Sequence, residues 1–280
     1  MNTIKISPKF KLESDFTTYA RETIFTYQNG FVYYIDISDG SVFKIINVSR
    51  ITNPIRCYYF DRKTYVYNFD EVAVIDYVTD EVTYHPMKRS GTKIIKEYFG
   101  PFQHILAAYD NGLIDIYVDC QLYKTVKIED DLFKDADFLI PFATDFNNAH
   151  GIYIILKNSV FLYLDFTNNE TYFVAELRGY KVGSAVYQAY PEYMYYNTID
   201  GRLIKSDFRN QQLYLVNAKE VLNPSKKFMV LLDKENKILI NGQHYPEMKP
   251  PFKLYGQHLD TLIIVDKENT LFRLESQKEY

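Results

Sequence analysis

The chain has 280 residues, of which 27 are Tyr, 20 Phe and none Trp, with a formal net charge of −4. A hydrophobic content of 47% supplies a packed core and excludes wholesale disorder. Two cysteines are too few for a disulfide framework, and no apolar run approaches the roughly 18–20 residues of a membrane-spanning helix. The slight acidic excess argues against a dedicated nucleic-acid binder, which needs a basic face.

From the N-terminus, Met1 to Lys9 shows no continuous apolar stretch and no small-residue cleavage site, so no classical signal peptide is expected. Cys57 and Cys120 lie far apart and read as small buried hydrophobes in a reduced, intracellular and most simply cytoplasmic setting. Thr3-Ile4-Lys5-Ile6 reads as a short strand. Thr23–Ile35 and Ile105–Ile116 read as hairpins, turning at Asn29-Gly30 and Asn111-Gly112. Asn-Gly suits a type I′ turn, in which both central residues take positive φ. β-branched and aromatic residues dominate nearly everywhere, which suits pleated, half-buried surfaces. Tyr, Ile, Phe, Asn and Lys have AT-rich codons, so genomic bias of the kind found in some viruses, thermophilic archaea and parasites is an alternative source of part of the aromatic excess.

Further turns align with these two. Their centres fall at Asn29-Gly30, Asp70-Glu71, Asn111-Gly112, Asn158-Ser159, Asp200-Gly201, Glu235-Asn236 and Glu268-Asn269, at steps of 41, 41, 47, 42, 35 and 33 residues. Each lies between two apolar runs. Beyond each comes a polar, usually acidic, residue: Asp36, Asp76, Asp119, Asp165, Asp207, Asn241 and Glu275. A repeat of about 40 residues with four short strands is one propeller blade. Tyr193 and Tyr195 alternate with Met194 and Tyr196, so both sheet faces are apolar, whereas a half-exposed antiparallel sheet shows one polar face. The fold expected is all-β: a seven-bladed β-propeller of four-stranded antiparallel blades, one domain over residues 1–280, its ring closed by an N-terminal strand pairing with the last blade. The compressed copies six and seven leave six or eight blades as alternatives.

This pattern resembles the WD-repeat-like class of propellers over the whole chain. The hallmarks of that class are absent: there is no Trp, hence no Trp-Asp pair, and no Gly-His opens a blade. The resemblance therefore implies the architecture and carries over no functional residue.

Two acidic sets are candidates for function. Asp70, Asp110, Asp200, Glu235 and Glu268 sit at the turns between second and third strands, where they form either ordinary turn chemistry or an acidic rim for a basic partner. Asp36, Asp76, Asp119, Asp165 and Asp207 fall at the opposite end and read as strand-ending turns. Between two hairpins, Glu129-Asp130-Asp131-Leu132-Phe133-Lys134-Asp135-Ala136-Asp137 is either a solvated loop or short helical turn with an apolar anchor, or a dock for a basic partner. It lacks the spacing of a calcium loop. Lys88, Arg89, Lys93 and Lys96, with Lys219, Lys226 and Lys227, form weak basic clusters that suit solubility or an acidic ligand. His85, His104, His150, His244 and His258 show no metal spacing. Met248-Lys249-Pro250-Pro251-Phe252 reads as an inter-blade link. No nucleophile elbow or phosphate-binding glycine loop occurs, and no cofactor or metal is expected.

The leading expectation is a non-enzymatic scaffold that presents a propeller face to a protein or peptide partner. The site expected is the face formed by the inter-blade loops and turn acids around the central channel. Its candidate residues are Asp70, Asp110, Asp200, Glu235, Glu268, Glu129, Asp130, Asp131, Lys88 and Arg89. The alternatives are a small-ligand or carbohydrate-binding propeller or enzyme with a site at the channel mouth, and a viral structural or host-interaction protein.

Overall fold

Alternating aromatic and β-branched residues favour strands over helices, and the computed structural model of the chain follows that preference. It describes residues 2–6, 11–12, 17–20, 22–99, 104–143, 149–177, 180–189, 193–207, 210, 212–224, 228–258 and 261–275. Two compact units emerge, one of residues 1–87, 226–229 and 236–280, the other of residues 88–225 and 230–235.

The first unit opens with β1 (Asn2–Ile6), β2 (Thr17–Ala20), β3 (Thr23–Gln28), β4 (Phe31–Asp36), β5 (Val42–Asn47), β6 (Arg56–Phe60), β7 (Lys63–Tyr67), β8 (Glu71–Asp76) and β9 (Val82–Pro86). The second unit holds β10 (Ile94–Phe99), β11 (Ile105–Tyr109), β12 (Leu113–Val118), β13 (Gln121–Lys127), α1 (Asp130–Asp135), β14 (Ala136–Ala143), β15 (Ala149–Leu156), β16 (Val160–Asp165), β17 (Thr171–Glu176), β18 (Val182–Ala189), β19 (Tyr193–Thr198), β20 (Leu203–Asp207), β21 (Gln212–Val216) and β22 (Glu220–Pro224). After β23 (Met229–Leu232), the strands β24 (Ile238–Ile240), β25 (Gln243–His244), β26 (Lys253–His258), β27 (Thr261–Val265) and β28 (Leu271–Glu275) return to the first unit.

The fold class is an all-β propeller of four-stranded antiparallel blades. In the first unit the sheets are β2-β3-β4-β5, β6-β7-β8-β9 and β1-β28-β27-β26; in the second they are β10-β11-β12-β13, β14-β15-β16-β17 and β18-β19-β20-β21. This corrects the seven blades read from the turn spacing in favour of the six-blade alternative: among the described residues six complete blades lie within the units, three in each. The strands β22–β25 fall where the units divide, with β24 reduced to three residues and β25 to two. The turn spacing there shrinks to 35 and 33 residues, and the shortened β24 and β25 take up the difference. In the blade that contains the C-terminal strands, β1 is the outer strand, with Asn2 opposite Glu275 and Ile6 opposite Leu271.

Blades pack face to face because both faces are apolar. Neighbouring residues on one strand serve opposite faces: Ile24 joins a core with Ile35, Ile263, Val265 and Leu271, while Phe25 joins one with Tyr34, Cys57, Val66 and Ile75. The same alternation recurs in the second unit, where Ile154 packs with Leu106 and Ile116, and Ile155 with Phe161, Met194 and Tyr196. Each such fully buried side chain contributes about 1.5–3 kcal/mol.

The turns show why the repeat was legible. Asn29 and Gly30 take φ of 51° and 86°, as a type I′ turn requires. At Asn111-Gly112 the expected type I′ turn gives way to a three-residue loop with positive φ at Gly112 only (78°), closed by the Gly112 amide on the Tyr109 carbonyl at 3.1 Å. Ser159, Gly201 and Asn269 close equivalent loops on Leu156, Thr198 and Asp266. In the copy read at Asp70-Glu71, the positive φ falls on Phe69 (63°), and Glu71 already belongs to β8.

The second acidic set caps hairpins. Asp36 Oδ1 accepts the Ser38 amide (2.7 Å), Asp76 Oδ1 the Val78 and Thr79 amides (2.8 and 2.9 Å), and Asp165 Oδ1 the Thr167 amide (2.7 Å). Asp207 Oδ1 accepts the Asn210 amide at 3.0 Å. The bonds at Asp36, Asp76 and Asp165, each to the amide two residues on, are the Asx turns that make Asp a favoured turn residue.

A lysine on the outer strand of one blade clasps the capped turn of the next. Lys44 Nζ pairs with Asp80, reaches the Tyr77 carbonyl at 3.4 Å and lies 5.3 Å from the Tyr34 and Tyr77 ring centroids. Lys124 Nζ donates to the Phe166 carbonyl at 2.8 Å and lies 4.7 Å from that ring. Lys44→Met and Lys124→Met, which keep the stem and remove the charge, each lower unfolding free energy by about 1 kcal/mol in urea titrations. An unchanged midpoint in both would show that the charge contributes nothing.

Candidate interaction surface

Successive connections in an antiparallel meander lie at alternate ends of the sheet, so inter-blade links share an end with the turns between second and third strands. The structure ties them together: the Val48 amide donates to the Gly30 carbonyl (2.8 Å), Met87 to Asp70 (2.9 Å) and Leu177 to Ser159 (3.3 Å). Asp70 sits at the β7–β8 turn, Asp110 at β11–β12, Asp200 at β19–β20, Glu235 at β23–β24 and Glu268 at β27–β28, all five exposed.

The five are not electrostatically equivalent. Asp200 pairs with Arg202, which with the Thr198 hydroxyl lowers its carboxyl to about 2. Glu268 pairs with Lys249 at 2.8 Å, which holds its carboxyl below the usual range. Those two charges are neutralised locally, which weakens the picture of a uniform acidic rim. Asp110 belongs to the turn whose Gly112 lies beside the acidic link: a Cβ at Gly112 would stand 3.7 Å from Asp130 Oδ1.

That link forms α1. Glu129 precedes the helix, its carbonyl accepts the Phe133 amide at 2.9 Å, and Asp130 and Asp131 occupy the first turn. Leu132 and Phe133 pack on the core between the first two blades of the second unit, so the apolar pair anchors the link and leaves the acids in solvent. Lys127, Ile128, Glu129, Asp130, Asp131 and Lys134 line an open concavity of about 600 Å³.

Lys88 and Arg89 are exposed at the start of the link before β10, and a buried aspartate that sequence reasoning passed over fixes that link. Asp115 lies mid-strand in β12 with 0% exposure. Its Oδ2 accepts the Ser90 amide at 2.7 Å and the Tyr109 hydroxyl at 2.8 Å, and its Oδ1 accepts the Thr125 hydroxyl at 2.8 Å. The Tyr117 hydroxyl stands 3.2 Å from Oδ2 and 2.9 Å from the Lys88 carbonyl. Burial, with the neighbouring carboxylate, raises Tyr109 to about 12 and pushes Tyr117 further upward. A Cβ on Gly91 would fall 2.3 Å from the Tyr109 ring, so the link lies flat against that tyrosine only because residue 91 has no side chain. The available signal was a charged residue inside the apolar run Leu113–Val118.

Lys226 and Lys227 lie outside the described residues. Among the described residues no group of three or more His, Cys, Asp or Glu side chains is placed to hold a metal ion, and no helix is long and apolar enough to cross a membrane. His104 is buried, while His85 and His244 are exposed. Cys57 and Cys120 are both buried thiols.

No family model matches the chain, and no curated protein matches it. Among solved structures it is similar to the crystal structure of BamB from Moraxella catarrhalis, at 13% identity over 92% of this chain and 80% of that chain, with a TM-score of 0.48. So faint a likeness says nothing about what this chain binds.

Proposed function

We propose that the chain is a protein-interaction propeller: a single domain over residues 1–280, closed by its N-terminal strand, that presents its inter-blade links and adjoining turns to a protein or peptide partner. The observation that carries this reading is the anchored acidic link. Glu129, Asp130 and Asp131 stand in solvent around an open concavity of about 600 Å³, held there by Leu132 and Phe133 in the core. Solvent-facing acids on a fixed support suit a basic partner segment, since charge complementarity governs partner choice and encounter rate. Asp110, in the turn beside the link, extends that acidic surface in this reading, and Asp70, Asp200, Glu235 and Glu268 are the corresponding turn acids of the other copies. Lys88 and Arg89 give it a second, basic patch.

The test is purification of the full chain from its native source beside a variant carrying Glu129→Lys, Asp130→Lys and Asp131→Lys. A stoichiometric protein partner accompanies the native chain and is lost from the variant, whose circular dichroism is unchanged. A partner retained by the variant, or a tightly bound small molecule in place of a partner, overturns the reading.

A further inference from the structure

Every complete blade ends on an outer strand that is the edge of its sheet, and a bare edge is a template for pairing with another chain. The usual safeguards are Lys and Pro on that strand, and most edges here carry them. β1 has Lys5, β5 has Lys44, β9 has Pro86, and β13 has Lys124 and Lys127. β17 (Thr-Tyr-Phe-Val-Ala-Glu) and β21 (Gln-Leu-Tyr-Leu-Val) have neither Lys, Arg nor Pro. These two strands also expose the largest fractions of apolar side chain found on any described strand: Phe173 is 66% exposed and Leu215 67%, beside Tyr172 and Tyr214 at 42% and 43%.

Charge separates the two. β21 has no charged residue. β17 runs from Glu170, just before it, to Glu176 at its end, both exposed. Glu170 Oε2 is held beside the strand by the Tyr172 hydroxyl at 2.6 Å and Asn168 Nδ2 at 3.1 Å. Neither carboxylate is in an ion pair among the described residues. The edge is therefore an apolar, unguarded strand with an uncompensated negative charge at each end.

We propose that the outer edge of β17 is a strand-addition site for an extended segment of a partner protein, with apolar residues at alternate positions and Lys or Arg at both ends. The pairing supplies main-chain hydrogen bonds, the alternate side chains cover Phe173 and its neighbours, and the terminal cations meet Glu170 and Glu176. A second copy of this chain is the poorer occupant. Antiparallel pairing of two β17 strands in full overlap brings Glu170 of one beside Glu176 of the other at both ends, and like charges so placed are destabilising. One six-residue edge is also far short of the roughly 1,200–2,000 Å² that stable dimers bury. This surface is distinct from the acidic link, so the two readings stand or fall separately.

The test uses the full chain and two fluorescein-labelled peptides, acetyl-Lys-Val-Thr-Val-Thr-Val-Lys-amide and its counterpart with Glu at both ends. Anisotropy reads affinity, and amide hydrogen exchange reads location. The Lys-ended peptide binds at least about fivefold more tightly than the Glu-ended one and slows exchange across residues 171–176. Phe173→Lys, at an exposed position that leaves the fold intact, weakens binding about tenfold. Glu170→Gln with Glu176→Gln brings the two peptides to equal affinity. No binding, no slowed exchange across 171–176, or undiminished binding by Phe173→Lys overturns the proposal. So does a dimer in sedimentation that Phe173→Lys abolishes, which would assign the edge to a second copy.

Discussion

Asp115→Asn lowers unfolding free energy by about 3–5 kcal/mol, the range for breaking a fully buried charged network, and lowers the melting temperature by on the order of 10 °C. The carboxylate has no exposure and accepts from the Ser90 amide and the hydroxyls of Tyr109 and Thr125, with Tyr117 at 3.2 Å. Both of its oxygens accept from buried or part-buried donors. Asparagine keeps the volume but turns one acceptor into an NH₂ group that faces donors, so several buried groups lose partners together. Thr125→Val and Tyr109→Phe each remove a single donor and cost about 1–1.5 kcal/mol. Chemical denaturation of the three variants separates the cases. A loss under 1 kcal/mol for Asp115→Asn would mean that the network is held by shape and not by the carboxylate. The same variant frees Ser90 from its anchor, so faster amide exchange over residues 88–93 should accompany the loss of stability.

Phe25→Ala costs about 3–5 kcal/mol, through lost transfer energy and the cavity left behind. Phe25 is 1% exposed and stacks on Tyr59 of the next blade at 4.5 Å between centroids, with edge contacts to Tyr34 at 5.0 Å and Tyr77 at 5.9 Å. Such pairs add about 0.5–1.5 kcal/mol beyond the area they bury. A double-mutant cycle of Phe25→Leu with Tyr59→Leu reads that coupling, and a coupling energy near zero would show that the two rings merely share a space. Here the aromatic richness of the composition acquires a definite role, as the packing between one blade and the next.

Much of the blade pattern was written locally. Asn29-Gly30 specified its own type I′ turn because only residues that tolerate positive φ fit both central positions. Asp36, Asp76 and Asp165 ended strands because a short carboxylate bonds the amide two residues on. The alternation through Tyr193–Tyr196 announced two buried faces: Met194 and Tyr196 on one are fully buried in the inter-blade core, and Tyr195 on the other is 6% exposed. The acidic link was legible as an anchored element, since Leu132 and Phe133 interrupt the run of acids and take the core-facing side.

The rest depended on residues distant in the chain. The shift from type I′ at Asn111-Gly112 to a three-residue loop depends on how far β11 and β12 extend. Neutralisation of Glu268 required Lys249, 19 residues away. Strand count in the compressed copies was a matter of tertiary pairing, because 33 to 35 residues suit either a whole blade or a partial one. Turn positions, strand periodicity and the two-faced burial of the blades were determined by the sequence itself, through φ preferences and side-chain alternation that act within a few residues. The number of complete blades, the partners of Asp115 and the exposure of the β17 edge were decided only by tertiary structure, because each depends on which strands become neighbours and which edge is left without one.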